Sequence, residues 1–241
     1  MKKRLDVLLV ERGLADSRTR AQALIMSGQV SAHGRKLDKP GVAVDEGVDL
    51  HVKDQPLYVS RAGDKLASVA AVLQLDFEGK VVLDVGSSTG GFTDYALQDG
   101  AKKVYCVDVG TAQLAYKLRQ DERVVVMERT DIRDAILPEL VDIAVVDVSF
   151  ISLVKVLEPV VALIKPGALI VAMAKPQFEA GRALATKYHG VIPIGEERDL
   201  VLDELRSWMA ARFVIVSEAN SAVAGAEGNV ERFYALQSSR E

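Results

Sequence analysis

The stretch VVLDVGSSTGGFT, residues 81–93, joins a run of apolar residues to a loop of small ones. The run 81–86 predicts a buried strand, and residues 92–98 predict a helix that follows it. Small residues directly after such a strand let a ligand approach the backbone closely. This unit of strand, loop and helix therefore indicates the start of an α/β domain with a binding site at the loop.

The chain beyond this unit continues to alternate strands and helices. Further strands are predicted at 104–110, 124–127, 142–148 and 168–174, with helices through Leu114 and Leu118, from Leu153 to Ile164 and over 197–211. Two late strands, 213–219 and 231–237, are close enough to pair. Apolar strands separated by helices favour a parallel sheet covered on both faces. We expect a Rossmann-like fold with a mostly parallel seven-stranded sheet, to which the late hairpin adds an antiparallel strand.

The composition of the loop restricts the ligand that it can bind. A dinucleotide fingerprint needs glycine where Ser88 stands, and a P-loop needs lysine where Phe92 stands. Asp84 instead lies two residues before the first glycine, where a carboxylate suits an ammonium group or an ordered water. That pattern fits S-adenosylmethionine (SAM), which has a zwitterionic methionine end and a positive sulfonium. The predicted cofactor-binding residues of this loop are Asp84, Gly86, Ser87, Ser88, Gly90, Gly91 and Phe92.

Two more carboxylates follow predicted strands and extend the cofactor site. Asp108 ends the second strand, 24 residues beyond Asp84, where a group that accepts hydrogen bonds from ribose hydroxyls is expected. Asp131 follows the third strand and is placed to accept from an adenine amino group. Each aspartate alone could equally be a helix cap or a solvated loop residue, but their shared position at strand ends favours binding.

Four further residues indicate proton-transfer chemistry. Lys175 follows a buried strand and precedes a proline, Lys65 starts the α/β unit, Asp147 ends the fourth strand, and Glu231 precedes the last one. A neighbouring cation and partial burial would favour a neutral lysine. A neutral Lys175 could accept the proton of a ribose 2′-hydroxyl as it is methylated, with the others orienting substrate. The alternative is a structural network of ion pairs.

The N-terminal segment differs in charge from the rest. Residues 1–39 carry nine basic and four acidic side chains, a net +5, while the whole chain carries -4. The pattern there predicts helix, helix, strand, turn and an extended return over 42–52, with Asp16 or Ser17 capping the second helix. A basic head on an acidic body favours a contact with a polyanion, and a solvated face is the alternative. The predicted RNA-binding residues are Arg4, Arg18, Arg20, Arg35 and Lys36.

Domain boundaries and excluded classes follow from composition. We expect a head at 1–55, a linker at 56–60 around Pro56, which keeps Gln55 extended, and the α/β domain at 61–241. One cysteine and three scattered histidines provide no intrachain disulfide and no metal-ligand spacing. No apolar run approaches the roughly 18 residues of a membrane span. The protein is expected to be cytoplasmic, without a membrane partner, and its oligomeric state is left open.

Several motifs together resemble a known family. DVGSSTGGFTD, VYCVDVG, VVMERTDIRD, VVDVSFISL, KPQFEAG and GNVERF, in that order, resemble the TlyA-type RNA methyltransferases, which have an FtsJ-like catalytic domain. The N-terminal RLDVLLVERGLADSRTRAQALIMSGQVSAHGRK is similar to the alpha-L RNA-binding domain of a ribosomal protein and of pseudouridine synthases.

The resemblance implies 2′-O-methylation of ribosomal RNA, typically of cytidines in 16S and 23S rRNA. It also implies a catalytic tetrad of Lys65, Asp147, Lys175 and Glu231. The stretch ALATKYHGVIPIGEERD (183–199) is less glycine-rich and less basic than the family loop, so the role of residues 182–199 is left open.

Other functions remain as alternatives. A methyltransferase for another RNA or another atom is one, although the region after the fourth strand lacks an Asn-Pro-Pro-Tyr-like segment and Cys106 lies inside a strand. A ribosome-associated RNA-binding protein without catalysis is a second, against which the complete tetrad argues. Family members are often labelled haemolysins, and the lack of an apolar span argues against a membrane-active cytolysin.

Overall fold

The chain forms two compact units, Met1–Pro56 and Leu57–Glu241, in a computed structural model. The structure describes residues 1–15, 17–53, 56–225 and 228–238. The division falls one residue beyond the expected end of the head. It assigns residues 57–60 of the expected linker to the second unit. Gln55 lies outside the described residues.

The first unit combines two helices with short strands. In its described part, the elements are β1 (Lys2–Arg4), α1 (Leu5–Glu11), α2 (Arg18–Met26), β2 (Val30–Ala32), β3 (Arg35–Lys36), β4 (Ala43–Asp45) and β5 (Leu50–Val52). β1 pairs with β4, and a second sheet has the order β3-β2-β5. Leu5, Leu9 and Ile25 are fully buried between the helices and the second sheet's Val30. The predicted order of helix, helix, strand and turn is therefore present.

Details of the first unit differ from the sequence prediction. Ser17 is the cap of α2, since its side chain accepts a hydrogen bond from Arg20 N at 3.2 Å, and Asp16 lies outside the described residues. The return over 42–52 is two strands, not one. It is interrupted because the backbone N–H of Gly47 bonds to the Asp45 side chain and that of Val48 to the Asp45 carbonyl, which closes a turn.

The second unit alternates strands and helices as expected. Its described elements are α3 (Arg61–Ala70), β6 (Val81–Val85), α4 (Gly91–Gln98), β7 (Lys103–Asp108), α5 (Tyr116–Arg119), β8 (Val124–Glu128), β9 (Val141–Val146), a 3-10 helix (Leu153–Lys155), α6 (Leu157–Val161), β10 (Ile164–Ala174), α7 (Pro176–Glu179), α8 (Gly181–Lys187), α9 (Glu196–Ala210), β11 (Phe213–Asn220) and β12 (Arg232–Ser238). Seven strands form one sheet in the order β11-β12-β10-β9-β6-β7-β8 within the described ranges.

The sheet is parallel except at β12, which runs antiparallel to both β10 and β11. This confirms the predicted mostly parallel seven-stranded sheet with a late antiparallel strand. Helices cover both faces. α6 and α9 pack on one face through residues such as Leu157 and Leu202, and α3 and α4 pack on the other through Leu66 and Phe92. Each fully buried apolar side chain of this kind contributes roughly 1.5–3 kcal/mol.

Two predicted helices are shorter than expected. The one from Leu153 to Ile164 is a 3-10 turn followed by α6, and Ile164 already belongs to β10. Pro159 has no N–H to donate, so it fits the first turn of a new helix and not the interior of a continuous one. The helix through Leu114 and Leu118 is only α5, because Ala115 directly before it has a ψ of 140°, which a right-handed helix excludes.

No helix among the described residues combines the length and the apolar character that crossing a membrane requires.

Candidate functional site

The predicted site residues converge on one edge of the large sheet. Asp108 ends β7, and Asp147 and Lys175 directly follow β9 and β10. Parallel strands present their carboxyl ends at the same edge, so these side chains lie together. β12 runs the opposite way, and its first residue Arg232 pairs with Ala174 at the end of β10. Glu231 therefore reaches the same edge from the amino end of its strand.

The glycine loop after β6 needs its glycines for close packing. Gly86 has a φ of +79°, and a Cβ there would lie 2.5 Å from the carbonyl oxygen of Asp147. Gly90 has a φ of +95°, and a Cβ there would lie 2.3 Å from Leu118 Cδ1. Any side chain at either position would be strained and would push the loop off its neighbours. The loop can therefore lie against the end of β9 only with glycine at position 86.

Asp84 carries a buried carboxylate beneath this loop. Its Oδ2 accepts hydrogen bonds from Thr93 N at 3.0 Å and Thr93 Oγ1 at 2.6 Å. Its Oδ1 is buried and has no hydrogen-bond partner in the described part of the chain. Burial raises the pKa of Asp84 to about 7, against the lowering effect of the Thr93 hydrogen bonds. An unpartnered buried oxygen is costly, so Asp84 suits a ligand that brings a hydrogen-bond donor.

Asp108 and Asp131 are already hydrogen-bonded by their own loops. Asp108 accepts from the backbone N–H groups of Ser88 and Gly110, both at 2.7 Å. The guanidinium of Arg133 binds both oxygens of Asp131 at 2.9 and 2.6 Å, and it lowers the pKa of this carboxyl to about 2. Each carboxylate oxygen has a second lone pair, so both groups can still accept from a ligand.

Two adjoining clefts bring most of the predicted cofactor residues together. The first is lined by Ser60, Arg61, Ala62, Lys65, Asp84, Gly86, Ser87, Ser88, Thr89, Gly91, Phe92 and Asp147. The second shares Gly86, Ser88 and Asp147 with it, and adds Asp108, Gln113, Thr130 and Asp131 beside apolar walls such as Val148 and Ile151. Gly90 lies behind the loop against Leu114 and Leu118. Both clefts combine polar groups with apolar walls, so together they suit an elongated, amphipathic ligand.

The four residues of the expected tetrad form two ion pairs. Lys175 Nζ lies 2.6 Å from Asp147 Oδ1, and Lys65 Nζ donates to Glu231 Oε1 at 2.6 Å. All four side chains are at least four-fifths buried, and Glu231 is 3% exposed. A cation was expected beside Lys175, but the group next to its ammonium is the carboxylate of Asp147. Lys65 and Asp147 line the first cleft, which joins the two pairs into one site.

The loop after β9 and helix α7 hold one another around Lys175. Lys175 Nζ donates to Ser149 Oγ at 2.9 Å, and the Phe150 and Phe178 rings are 5.0 Å apart. Glu179 accepts from Ser152 Oγ at 2.6 Å and from Leu153 N at 2.9 Å. Burial raises the pKa of Glu179. These contacts fix the loop that carries Asp147 against the residues that follow Lys175.

Sequence reasoning missed several residues of the site. Ser60 and Arg61 line the first cleft, although residues 56–60 were expected to be a linker. The signal was present, because Ser60 occupies the N-cap position of α3 and serine is favoured there. Thr93, which binds Asp84, stands in the quoted loop motif but was not singled out.

The five predicted RNA-binding residues of the head have different surroundings. Arg4 and Arg18 bind the fully buried carboxylate of Asp6, at 2.9 and 3.0 Å, yet about half of each side chain is exposed. The hydrogen bond from Arg4 holds the pKa of Asp6 well below its usual value. Arg35 and Lys36 form the exposed strand β3, and Arg20 is exposed on α2. The head therefore presents positive charge at its surface.

Comparisons with known proteins agree with this arrangement. A model of FtsJ-like methyltransferases matches residues 58–238, and a model of the S4 domain matches residues 3–50. The provisionally named rRNA methyltransferase YqxC of Bacillus subtilis (strain 168) is 47% identical over 236 residues, which cover 95% of this chain and 84% of that protein.

Two further relatives extend the comparison. The 16S/23S rRNA (cytidine-2′-O)-methyltransferase TlyA of Mycobacterium tuberculosis (strain ATCC 25618 / H37Rv) is 40% identical, over 97% of this chain and 89% of its own. A solved structure from Streptococcus thermophilus, provisionally labelled a hemolysin, has a TM-score of 0.74 and 39% identity, over 100% of this chain and 90% of that one. The chain thus belongs to the FtsJ-like methyltransferase family and has an S4 domain at its N-terminus.

Proposed function

We propose that this protein methylates 2′-hydroxyl groups of ribosomal RNA, at cytidines, with SAM as the methyl donor. The observation that carries the proposal is the pair of buried lysine–carboxylate contacts, Lys65–Glu231 and Lys175–Asp147, beside the glycine loop. The printed activity of the Mycobacterium tuberculosis relative supports the substrate. An rRNA substrate would place the enzyme in the cytoplasm.

The residues of the two clefts fit SAM by their chemistry. The unpartnered Oδ1 of Asp84 suits the ammonium of the methionine part. We assign the ribose hydroxyls to Asp108 and the adenine amino group to Asp131, which border the second cleft. When bound, SAM supplies an electrophilic methyl group on a sulfonium sulfur. The backbone of the glycine loop, Gly86 to Phe92, would contact the cofactor.

Lys175 is our candidate for the proton acceptor. A 2′-hydroxyl must lose its proton as its oxygen gains the methyl group, and a neutral lysine amine can take that proton. Asp147, 2.6 Å away, would stabilise the ammonium that results. Lys65 and Glu231 would orient the ribose from the other side of the first cleft. Burial of all four groups strengthens each of these interactions, because little water competes.

The head domain is our candidate for RNA anchoring. Its surface arginines and lysines would bind phosphates, which position an RNA without reading its sequence. Arg4 and Arg18 would contribute while bound to Asp6, because an arginine has five donors and these contacts use only some of them.

The first prediction concerns the cofactor and pH. With the pKa of Asp84 near 7, its carboxyl is partly protonated at neutral pH. An ammonium ligand favours the ionised form, so SAM affinity should rise with pH. We expect binding roughly tenfold weaker at pH 6 than at pH 7.5 by titration calorimetry. Asp84→Asn should bind SAM weakly, with little dependence on pH. Asp94→Asn, which alters another buried carboxylate, should retain the SAM affinity and the pH dependence of the unaltered protein. A flat profile for the unaltered protein would refute the assignment.

The second prediction concerns Lys175. Loss of a proton acceptor typically lowers a rate by about 10²–10⁴-fold. Lys175→Arg keeps the positive charge but cannot accept a proton at working pH, so it should fail like Lys175→Ala while SAM still binds. The measurement is formation of 2′-O-methylated nucleosides in rRNA incubated with purified protein and SAM.

Lys165→Arg is the matched control for this test. Lys165 lies on the same strand β10 and also binds an aspartate, Asp142, at 2.6 Å, but half of its side chain is exposed. Its variant should retain full activity. If Lys175→Arg also methylates at a near-normal rate, Lys175 contributes only charge, and the proton-acceptor role is wrong.

The third prediction concerns the head. Replacing both Arg35 and Lys36 with alanine should weaken rRNA binding and reduce the slope of log affinity against log salt by about 2, one for each phosphate that is no longer neutralised. SAM affinity should not change. Replacing Lys165 and Arg206, in the second unit, with alanine is the control. Equal rRNA affinity and salt slope in the head variant and the unaltered protein would exclude these two residues from the RNA contact.

A further inference from the structure

Residues 188–198, which run from the end of α8 through the first residues of α9, pack against the residues that lead into β12. Ile192, in the middle of this segment, is 2% exposed. Two buried polar side chains, Asn229 and Arg198, join the segment to the residues just before Glu231. The segment lies in the stretch whose role the sequence leaves open.

Asn229 links the segment to the residues before Glu231. Its Oδ1 accepts a hydrogen bond from Ile192 N at 3.0 Å, and its Nδ2 donates to the Gly190 carbonyl at 2.8 Å. The side chain is 3% exposed. Both ends of the amide are therefore used, and each satisfies a backbone group that water cannot readily reach.

Arg198 links the start of α9 to the same place. It is 2% exposed, and its Nη2 donates to the Val230 carbonyl at 2.9 Å and to Asn220 Oδ1 at 3.2 Å. Its ion-pair partner, Asp199, is half-exposed, and its buried Nε has no hydrogen-bond partner among the described residues. A buried charge with incomplete partners disfavours folding, and an apolar side chain would fill the space more cheaply. The arginine therefore has a use other than stability.

The pairing of β12 with its neighbouring strands ends just before it reaches Glu231. β12 pairs with β10 and β11 only from Arg232 onward, where it faces Ala174 and Asn220. Glu231 lies one residue outside both ladders. Its backbone is held by Ser221 N, which donates to the Glu231 carbonyl at 2.9 Å, and by the contacts of its two preceding residues, Val230 and Asn229.

We propose that Arg198 and Asn229 are positioning residues that fix the Glu231 carboxylate and, through it, the ammonium of Lys65. This inference rests on the proposed methyl transfer. Glu231 Oε1 is 2.6 Å from Lys65 Nζ, and Lys65 lines the first cleft with Asp84 and Asp147. Neither positioning residue lines that cleft, so both act only through Glu231.

The first arm of the test is kinetic. Arg198→Met should lower the single-turnover rate of methyl transfer roughly ten- to a hundredfold, because a displacement of about 1 Å can cost 10²-fold. The dissociation constant for SAM should stay within about twofold, since the cofactor residues are untouched. Arg206→Met is the matched control, because Arg206 lies on the same helix, half-exposed, and binds Glu218 at 2.9 Å. Its rate should be unchanged.

The second arm is a double-mutant cycle. If Arg198 acts through Glu231, Arg198→Met should add almost nothing, less than about threefold, in a chain that already has Glu231→Gln. A merely structural role would lower the rate by the same factor in both backgrounds. That result, or an unchanged rate for Arg198→Met alone, would overturn the proposal.

The third arm does not depend on methylation. Lys65 is 11% exposed in its pair with Glu231, so acetic anhydride should label it slowly, as read by peptide mass spectrometry. Arg198→Met and Glu231→Gln should each raise Lys65 labelling several-fold and leave Lys165 labelling unchanged. Unaltered Lys65 labelling in Arg198→Met would refute the positioning role. If the unaltered protein transfers no methyl group, the proposed function fails while this arm still decides the positioning role. Should Arg198→Met not fold, Asn229→Ala is put through the same measurements.

Discussion

The contact between Lys175 Nζ and Asp147 Oδ1 joins the carboxyl ends of two neighbouring parallel strands, β9 and β10. Its position depends on backbone packing beneath it. Asp147 N donates to the Val85 carbonyl at 2.9 Å, and Gly86 leaves room for the Asp147 carbonyl where any side chain would collide. The glycine loop, the strand ends and the ion pair therefore form one arrangement, and a change in any of them displaces the others.

The site consists of buried charged side chains, whose transfer from water into the protein disfavours folding. Transfer of two charges from water to a protein interior costs several kcal/mol per ion, which a close ion pair only partly offsets. Two such pairs lie beside Asp84, whose pKa is raised because its carboxylate is buried and one oxygen has no partner. An apolar cluster of the same volume would stabilise the sheet edge at least as well. Concentration of such groups at one edge is typical of functional sites.

Much of the fold followed from local patterns. Apolar runs identified the strands from Val81–Val85 to Ala174, since a buried parallel strand needs nearly continuous apolar residues. The points where predicted helices are interrupted, as near Pro159, were harder to predict. Each interruption depends on a single residue, while the apolar residues around it still follow a helical period.

The sequence singled out residues that the structure brings together, but it did not predict which of them pair. Asp147 and Lys175 stood out because each directly follows an apolar strand. Lys65 and Glu231 are separated by 166 residues, and nothing local joins them. Arg198 gave no signal at all. A charged residue near the start of a helix normally faces solvent, and only the packing of residues 188–198 buries it.

Methylation of ribose oxygens in ribosomal RNA, at cytidines, is the activity that we propose for this site. The most direct measurement is a nucleotide-resolution map of 2′-O-methyl groups on 16S and 23S rRNA from cells with and without the protein. One or a few cytidines should lose 2′-O-methylation when the protein is absent and regain it when the protein is restored. Identical 2′-O-methyl maps, or loss of a methyl group from a base in place of a ribose, would contradict it.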